Sequence, residues 1–363
     1  MIALLALACR ETPADADTGA DPVDLVAAFG APGPWAVGHT TTAVTYTEPN
    51  GSARTLRLAL WWPTDDTAGV PGRYWNDVIP APDVWEDASV APGPFPLAVF
   101  SHGHQGYAEN SSFLTEHLAS HGWVVAAPDH TGNTSLDGAD RTTAIYAQRP
   151  RDLSAVLDHL EGRTDPLGAA LARADGLQAV AIGHSFGGYT VFAAIGAAYD
   201  DAALACPDPT TAFCSAMTPE AAADFRAGFA DPRFTRAIAM AAGDADLFGP
   251  GAAAVAAPVF LQGGSLDPGG DSQPYWDAIG ADPRHLRLVL TGAGHQSFTD
   301  YAGILEDFDG LLDPAEGFRV LDVYALAWAL AAEGDDRGAS ILDGTVAVGP
   351  SAVLTQPGAA GAR

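Results

Sequence analysis

The chain has 363 residues, 48% apolar and 17% charged: enough for a sizeable buried core and too orderly a mixture for a disordered chain. Its 17 basic residues, all arginine, stand against 45 acidic ones, and the resulting charge of −28 repels phosphate backbones and excludes nucleic acid as a partner. No segment beyond the amino terminus holds about 20 consecutive apolar residues, so no membrane span is expected.

Taken in order, residues 1–9 form a short apolar run that ends in Ala8-Cys9, like the end of a lipoprotein signal in which Cys9 is lipidated. This predicts export, either as an outer-membrane or cell-surface lipoprotein tethered through Cys9, or as a secreted or periplasmic protein. Residues 10–34, rich in Asp, Ala, Pro, Gly and Thr, read as a flexible tether. The folded domain is expected over residues 35–335 and an irregular tail over 336–363. Thr40–Thr47 and Arg54–Trp62 alternate around Asn50-Gly51, the pattern of an antiparallel hairpin. After a Pro-rich crossing, continuous apolar strands (Leu97–Phe100, Trp123–Ala127, Leu177–Ile182, Ala237–Ala242, Pro258–Leu261, Leu286–Leu290) alternate with helical stretches such as Asn110–His121, Pro150–Leu160 and Phe318–Ala332. That rhythm predicts an α/β fold: a mostly parallel central sheet, helices on both faces, led by the hairpin. Residues 200–233 break the rhythm, as an insertion would, and hold Cys206 and Cys214. In an exported chain these two form an even pair, and a disulfide between them is expected.

Gly183-His184-Ser185-Phe186-Gly187 follows an apolar strand without a gap and opens straight into a helix. A nucleophile elbow needs that strand–turn–helix context, with glycines where strand and helix approach closely. Serine requires an adjacent base. Only His285 and His295 lie downstream, and His295, in a small-residue loop just past a strand, sits at the correct end of the sheet. The acid is open among Asp244, Asp246, Asp267 and Asp271; Asp267, in a turn at the carboxyl end of a strand, is favoured. An oxyanion needs two fixed N–H donors: the residue after the nucleophile, Phe186, and His104 in the loop Ser101-His-Gly-His-Gln-Gly106. His102, His104 and His130 belong to this loop architecture rather than to a metal site. Tyr107, Phe248 and Phe298 flank the motifs as candidates to line an acyl pocket.

Four motifs in order (Phe95–Gly103, Leu118–Ala127, Gly183–Gly188 and Gly294-His-Gln-Ser-Phe298) resemble those of the platelet-activating-factor acetylhydrolases and bacterial dienelactone-hydrolase-like proteins of the α/β-hydrolase superfamily, and more distantly those of cutinase-type polyester hydrolases. The resemblance implies esterase chemistry with no metal or organic cofactor, carried by Ser185, His295 and the N–H groups of His104 and Phe186. Acetylhydrolases of the animal type place their acid on the strand after the nucleophile helix. Ala237–Ala242 has none, which favours Asp267. The expected function is hydrolysis of short-to-medium acyl or lipid esters. The alternatives are polyester hydrolysis and a catalytically silent extracellular binding protein on the same fold. Oligomeric state is not legible.

Overall fold

A computed structural model describes residues 22–138, 140–268, 272–306 and 308–357. The order of elements is α1 (Pro22–Gly30), β1 (Ala36–Thr47), β2 (Ala53–Thr64), β3 (Val70–Tyr74), β4 (Ile79–Glu86), β5 (Leu97–Ser101), α2 (Ser112–Ser120), β6 (Val124–Pro128), α3 (Thr143–Glu161), α4 (Pro166–Leu171), β7 (Ala179–His184), α5 (Phe186–Ala194), α6 (Asp201–Leu204) and α7 (Pro219–Ala227). There follow β8 (Phe234–Met240), β9 (Val259–Gly264), α8 (Gln273–Ile279), β10 (Leu286–Leu290), α9 (Pro314–Ala332), α10 (Ala339–Leu342) and β11 (Ala352–Thr355).

All described strands join one sheet in the order β11-β10-β9-β8-β7-β5-β6-β2-β1-β4-β3. The six strands from β10 to β6 are parallel. β1 and β2 form the expected antiparallel hairpin, with β2 antiparallel to β6. β5, β6 and β7 are buried along their whole lengths, which is why they read as unbroken apolar runs. One face of the sheet packs on α3 and α5 through residues such as Val99, Val156 and Phe192; the other packs on α2 and α9 through Phe100, Leu118 and Tyr324.

From β5 the chain crosses to β6 on one side and later to β7 on the other, so the direction of winding reverses at β5. A crevice opens outside the carboxyl ends of the strands at such a switch point. Register aligns its two walls: Ser101, the last residue of β5, lies opposite Gly183, next to last in β7. The loop after β5 and the turn after β7 therefore begin side by side.

Three boundaries differ from the sequence reading. Part of the predicted tether is helix α1, which packs against α9 and buries Phe29. Part of the predicted irregular tail is α10 and β11, the latter pairing antiparallel with β10. Helix α3 starts seven residues before Pro150, the residue taken as its first turn. Its start is capped instead by the Thr142 hydroxyl, which accepts from Ile145 N–H. Pro150 is tolerated within the helix because the carbonyl it leaves without an N–H, that of Tyr146, accepts from the Tyr189 hydroxyl at 2.9 Å. Cys206 and Cys214 are joined by a disulfide in the segment between α6 and α7. Cys9 lies outside the described residues.

Candidate active site

Ser185 occupies the turn between β7 and α5 with φ 56° and ψ −117°, a conformation that is costly for a residue with a side chain. The turn closes only because its neighbours are glycines. A Cβ on Gly183 would lie 2.2 Å from Gly187 O, and one on Gly187 would lie 1.9 Å from Ser101 O. Main-chain bonds hold the strain: Ser185 N–H donates to Met240 O at 2.8 Å, and Ser185 O accepts from Gly188 and Gly243.

The three residues nominated from sequence meet here. Ser185 Oγ lies 2.8 Å from His295 Nε2, and His295 Nδ1 lies 2.7 Å from Asp267 Oδ2. The carboxylate can only accept, so Nδ1 carries the proton and Nε2 is left free to accept from the serine hydroxyl. The Asp267 side chain is 2% exposed and that of His295 is 30% exposed, so the carboxylate is shielded while the imidazole is open to solvent. The other acids do not share this position. Asp244 accepts from Arg141 Nη1 at 2.8 Å and from Tyr146 Oη at 2.9 Å. Asp246 is exposed, and Asp271 lies outside the described residues. His285 is buried before β10, its Nδ1 accepting from Val259 N–H.

The loop after β5 lies against Ser185: a Cβ on Gly103 would stand 3.3 Å from Ser185 Cβ. This brings the main chain of His104 beside the site. The Phe186 N–H heads α5, where first-turn donors have no partner within the helix. The His104 ring takes a hydrogen bond from Asn133 Nδ2 at 2.9 Å.

The pocket expectations need correcting. Phe248 and Phe298 are fully buried: Phe248 stacks on Tyr189 within one core, and Phe298 lies against His184 within the other. Proximity in sequence to a loop motif placed them near the site, but both rings complete the sheet's packing rather than face solvent. Tyr107 is also mostly buried, its hydroxyl 3.2 Å from that of Tyr301 and its ring against Trp75.

Several supporting residues have no motif of their own. Glu306 accepts the N–H groups of His295 and Gln296 at 3.0 and 2.9 Å and so pins the histidine loop. His184, the variable residue of the elbow, donates from Nε2 to His295 O at 2.9 Å. Burial pushes its pKa down to about 3, so the ring is neutral there. Arg149 is fully buried and donates to the His102 and Gly103 carbonyls of the loop after β5. Its only sequence signal is its position: with Asp152 it falls on the apolar face of α3 set by Leu153, Val156 and Leu160. The histidines of the loop have protein partners: His102 Nε2 accepts from His130 N–H, and His130 lies between Ser101 Oγ and Asp152 Oδ2. Among the described residues no group of three or more His, Cys, Asp or Glu is arranged to hold a metal ion.

A family model described as Chlorophyllase matches residues 80–217. Two cutinases of Thermobifida alba, est2 and est1, are 39% and 38% identical over 88 residues, which is 24% of this chain and 26% of theirs. The chain thus aligns with about a quarter of the length of those curated relatives. A ferulic acid esterase from Streptomyces cinnamoneus superposes with a TM-score of 0.58 at 23% identity, covering 81% of this chain and 89% of that one.

Proposed function

We propose that this chain, an α/β-hydrolase with cutinase-type relatives, is a serine-dependent carboxylic-ester hydrolase. The observation that carries the reading is the unbroken chain of hydrogen bonds from Ser185 through His295 to Asp267, with spans of 2.8 and 2.7 Å. Ser185 Oγ attacks the ester carbonyl while His295 Nε2 takes its proton. Asp267 holds the ring in the required tautomer and favours the imidazolium that forms. The tetrahedral oxyanion rests on the main-chain N–H groups of His104 and Phe186. His295 then returns the proton to the departing alcohol. A water molecule, deprotonated by the same histidine, hydrolyses the acyl-enzyme.

The test is Ser185→Ala with p-nitrophenyl butyrate. Turnover should fall by at least about 10⁴-fold; undiminished turnover would remove the assignment. A catalytically silent binding protein is separated by a fluorophosphonate probe, which labels Ser185 only if His295 activates it.

The favoured substrates are short-to-medium acyl esters. The cutinase matches support a second reading, polyester hydrolysis, for which release of acid monomers from a polymer film is the discriminating assay. We also infer export. The Cys206–Cys214 disulfide supports it, since such bonds persist in oxidising compartments. Lipidation at Cys9 would appear as a mass shift of the amino-terminal peptide.

A further inference from the structure

Arg149 is 0% exposed, and a guanidinium is costly to bury without a carboxylate against it. Its hydrogen bonds go to neutral oxygens instead. Nη2 donates to His102 O and to Ser101 Oγ, Nη1 to Gly103 O at 3.4 Å and to Asn133 Oδ1 at 2.8 Å, and Nε to Thr190 Oγ1 at 3.0 Å. Asp152, whose charge favours the guanidinium, is itself engaged by Arg54, Tyr46 and His130.

Three of these acceptors, Gly103 O, Asn133 Oδ1 and Thr190 Oγ1, connect to the residues that carry the two proposed oxyanion donors. Gly103 O also accepts from His102 Nδ1 at 2.7 Å and from Gly106 N–H at 3.2 Å, so this carbonyl is held by three donors, Arg149 among them. The only cis peptide among the described residues is Gly93–Pro94, so the Gly103–His104 peptide is trans. In a trans peptide the N–H points opposite to the C=O. Holding Gly103 O toward Arg149, His102 Nδ1 and Gly106 N–H therefore points the His104 N–H away from those three donors. Asn133, held by the same guanidinium, anchors the His104 ring. The second donor is tied in too. Thr190 Oγ1 donates to Phe186 O at 2.9 Å, and the Arg149 guanidinium lies 4.5 Å from the centroid of the Phe186 ring.

We propose that Arg149 is the positioning residue of the oxyanion hole, locking the His104 and Phe186 main-chain donors into one rigid unit from behind and placing a fixed positive charge beneath them. It touches neither substrate nor nucleophile. The proposal rests on the serine-esterase reading of the site.

The experiment compares wild type with Arg149→Lys and Asn133→Ala, using p-nitrophenyl butyrate and a trifluoromethyl ketone inhibitor. With the ketone, Ser185 Oγ bonds to the carbonyl carbon, the π pair moves onto oxygen, and the serine proton passes to His295. The adduct thus reports the oxyanion hole directly. Lysine keeps the charge but cannot reach the five acceptors. For it, kcat should fall about ten- to a hundredfold with KM within about threefold, and ketone affinity should weaken in parallel. Asn133→Ala should show the same pattern more mildly. A residue that merely stabilises the fold would lower the melting temperature without that matched loss. Folded variants that both keep kcat and ketone affinity within about twofold of wild type overturn the proposal alone. A wild-type chain that hydrolyses no ester and takes no fluorophosphonate overturns the reading of the site, and the proposal with it.

Discussion

Substituting Gly187→Ala tests whether the spacing of the elbow sets the chemistry. A Cβ at this position would lie 1.9 Å from Ser101 O and 2.9 Å from His102 O, both on the strand end and loop that lead to His104, the proposed second oxyanion donor. The first contact is roughly 1 Å inside any tolerated approach. Neither side can yield cheaply. Ser101 is held in the β5–β7 ladder opposite Gly183, and His102 O is held by Arg149. Helix α5 must therefore move away from the β5 loop, parting the Phe186 and His104 donors by a comparable amount. A misplacement of about 1 Å costs on the order of 10²-fold in rate. The assay is kcat for p-nitrophenyl butyrate, normalised to the folded fraction by circular dichroism. A well-folded Gly187→Ala protein with wild-type kcat would refute the reasoning, because it would mean that the two donors need not be held at this separation.

Asp267→Asn should lower kcat by about 10³–10⁴-fold with little change in KM, whereas Asp244→Asn, which loosens the Arg141 pair, should lower the melting temperature and leave fluorophosphonate labelling of Ser185 intact. Breaking the disulfide by Cys206→Ser with Cys214→Ser, a bridge across a separation of 8 residues, should cost about 2–3 kcal/mol in urea unfolding, and reductant should have no further effect on that variant. Burial raises the Glu116 carboxyl to about 7. A raised carboxyl stabilises the fold below its unfolded pKa and loses that contribution as pH climbs through the folded value. Glu116→Gln should therefore gain stability relative to wild type between pH 5 and pH 8, by at most about 3 kcal/mol; a pH-independent difference in melting temperature would contradict the burial argument.

What was legible in the sequence is what local pattern encodes. Ser185 stands out because strand, turn and helix are contiguous around it, and the parallel strands because burial on both faces leaves no room for polar residues. His295 followed from chain order and from being at the carboxyl end of a strand. Asp267 could only be favoured among four acids, since loop carboxylates look alike until the fold decides which one meets the imidazole. Arg149, Glu306 and Asn133 act through main-chain groups or through other side chains, and that leaves no spacing to read. The α3 start was hidden by Pro150, whose usual preference was overridden by a hydroxyl 39 residues downstream, on Tyr189. Phe248 and Phe298 misled because a residue beside a functional loop can just as well point into the core.

Among the described residues, β11 (Ala352–Thr355) is the end strand beside β10 and follows it in the chain by some sixty residues. Until those residues emerge from the ribosome, β10 offers an unpaired ladder of N–H and C=O groups, the kind of edge that invites strands from other molecules. A chain stopped short of Ala352 would carry that open border permanently. Its hazard would be clumping of otherwise well-formed molecules rather than a failure of chemistry.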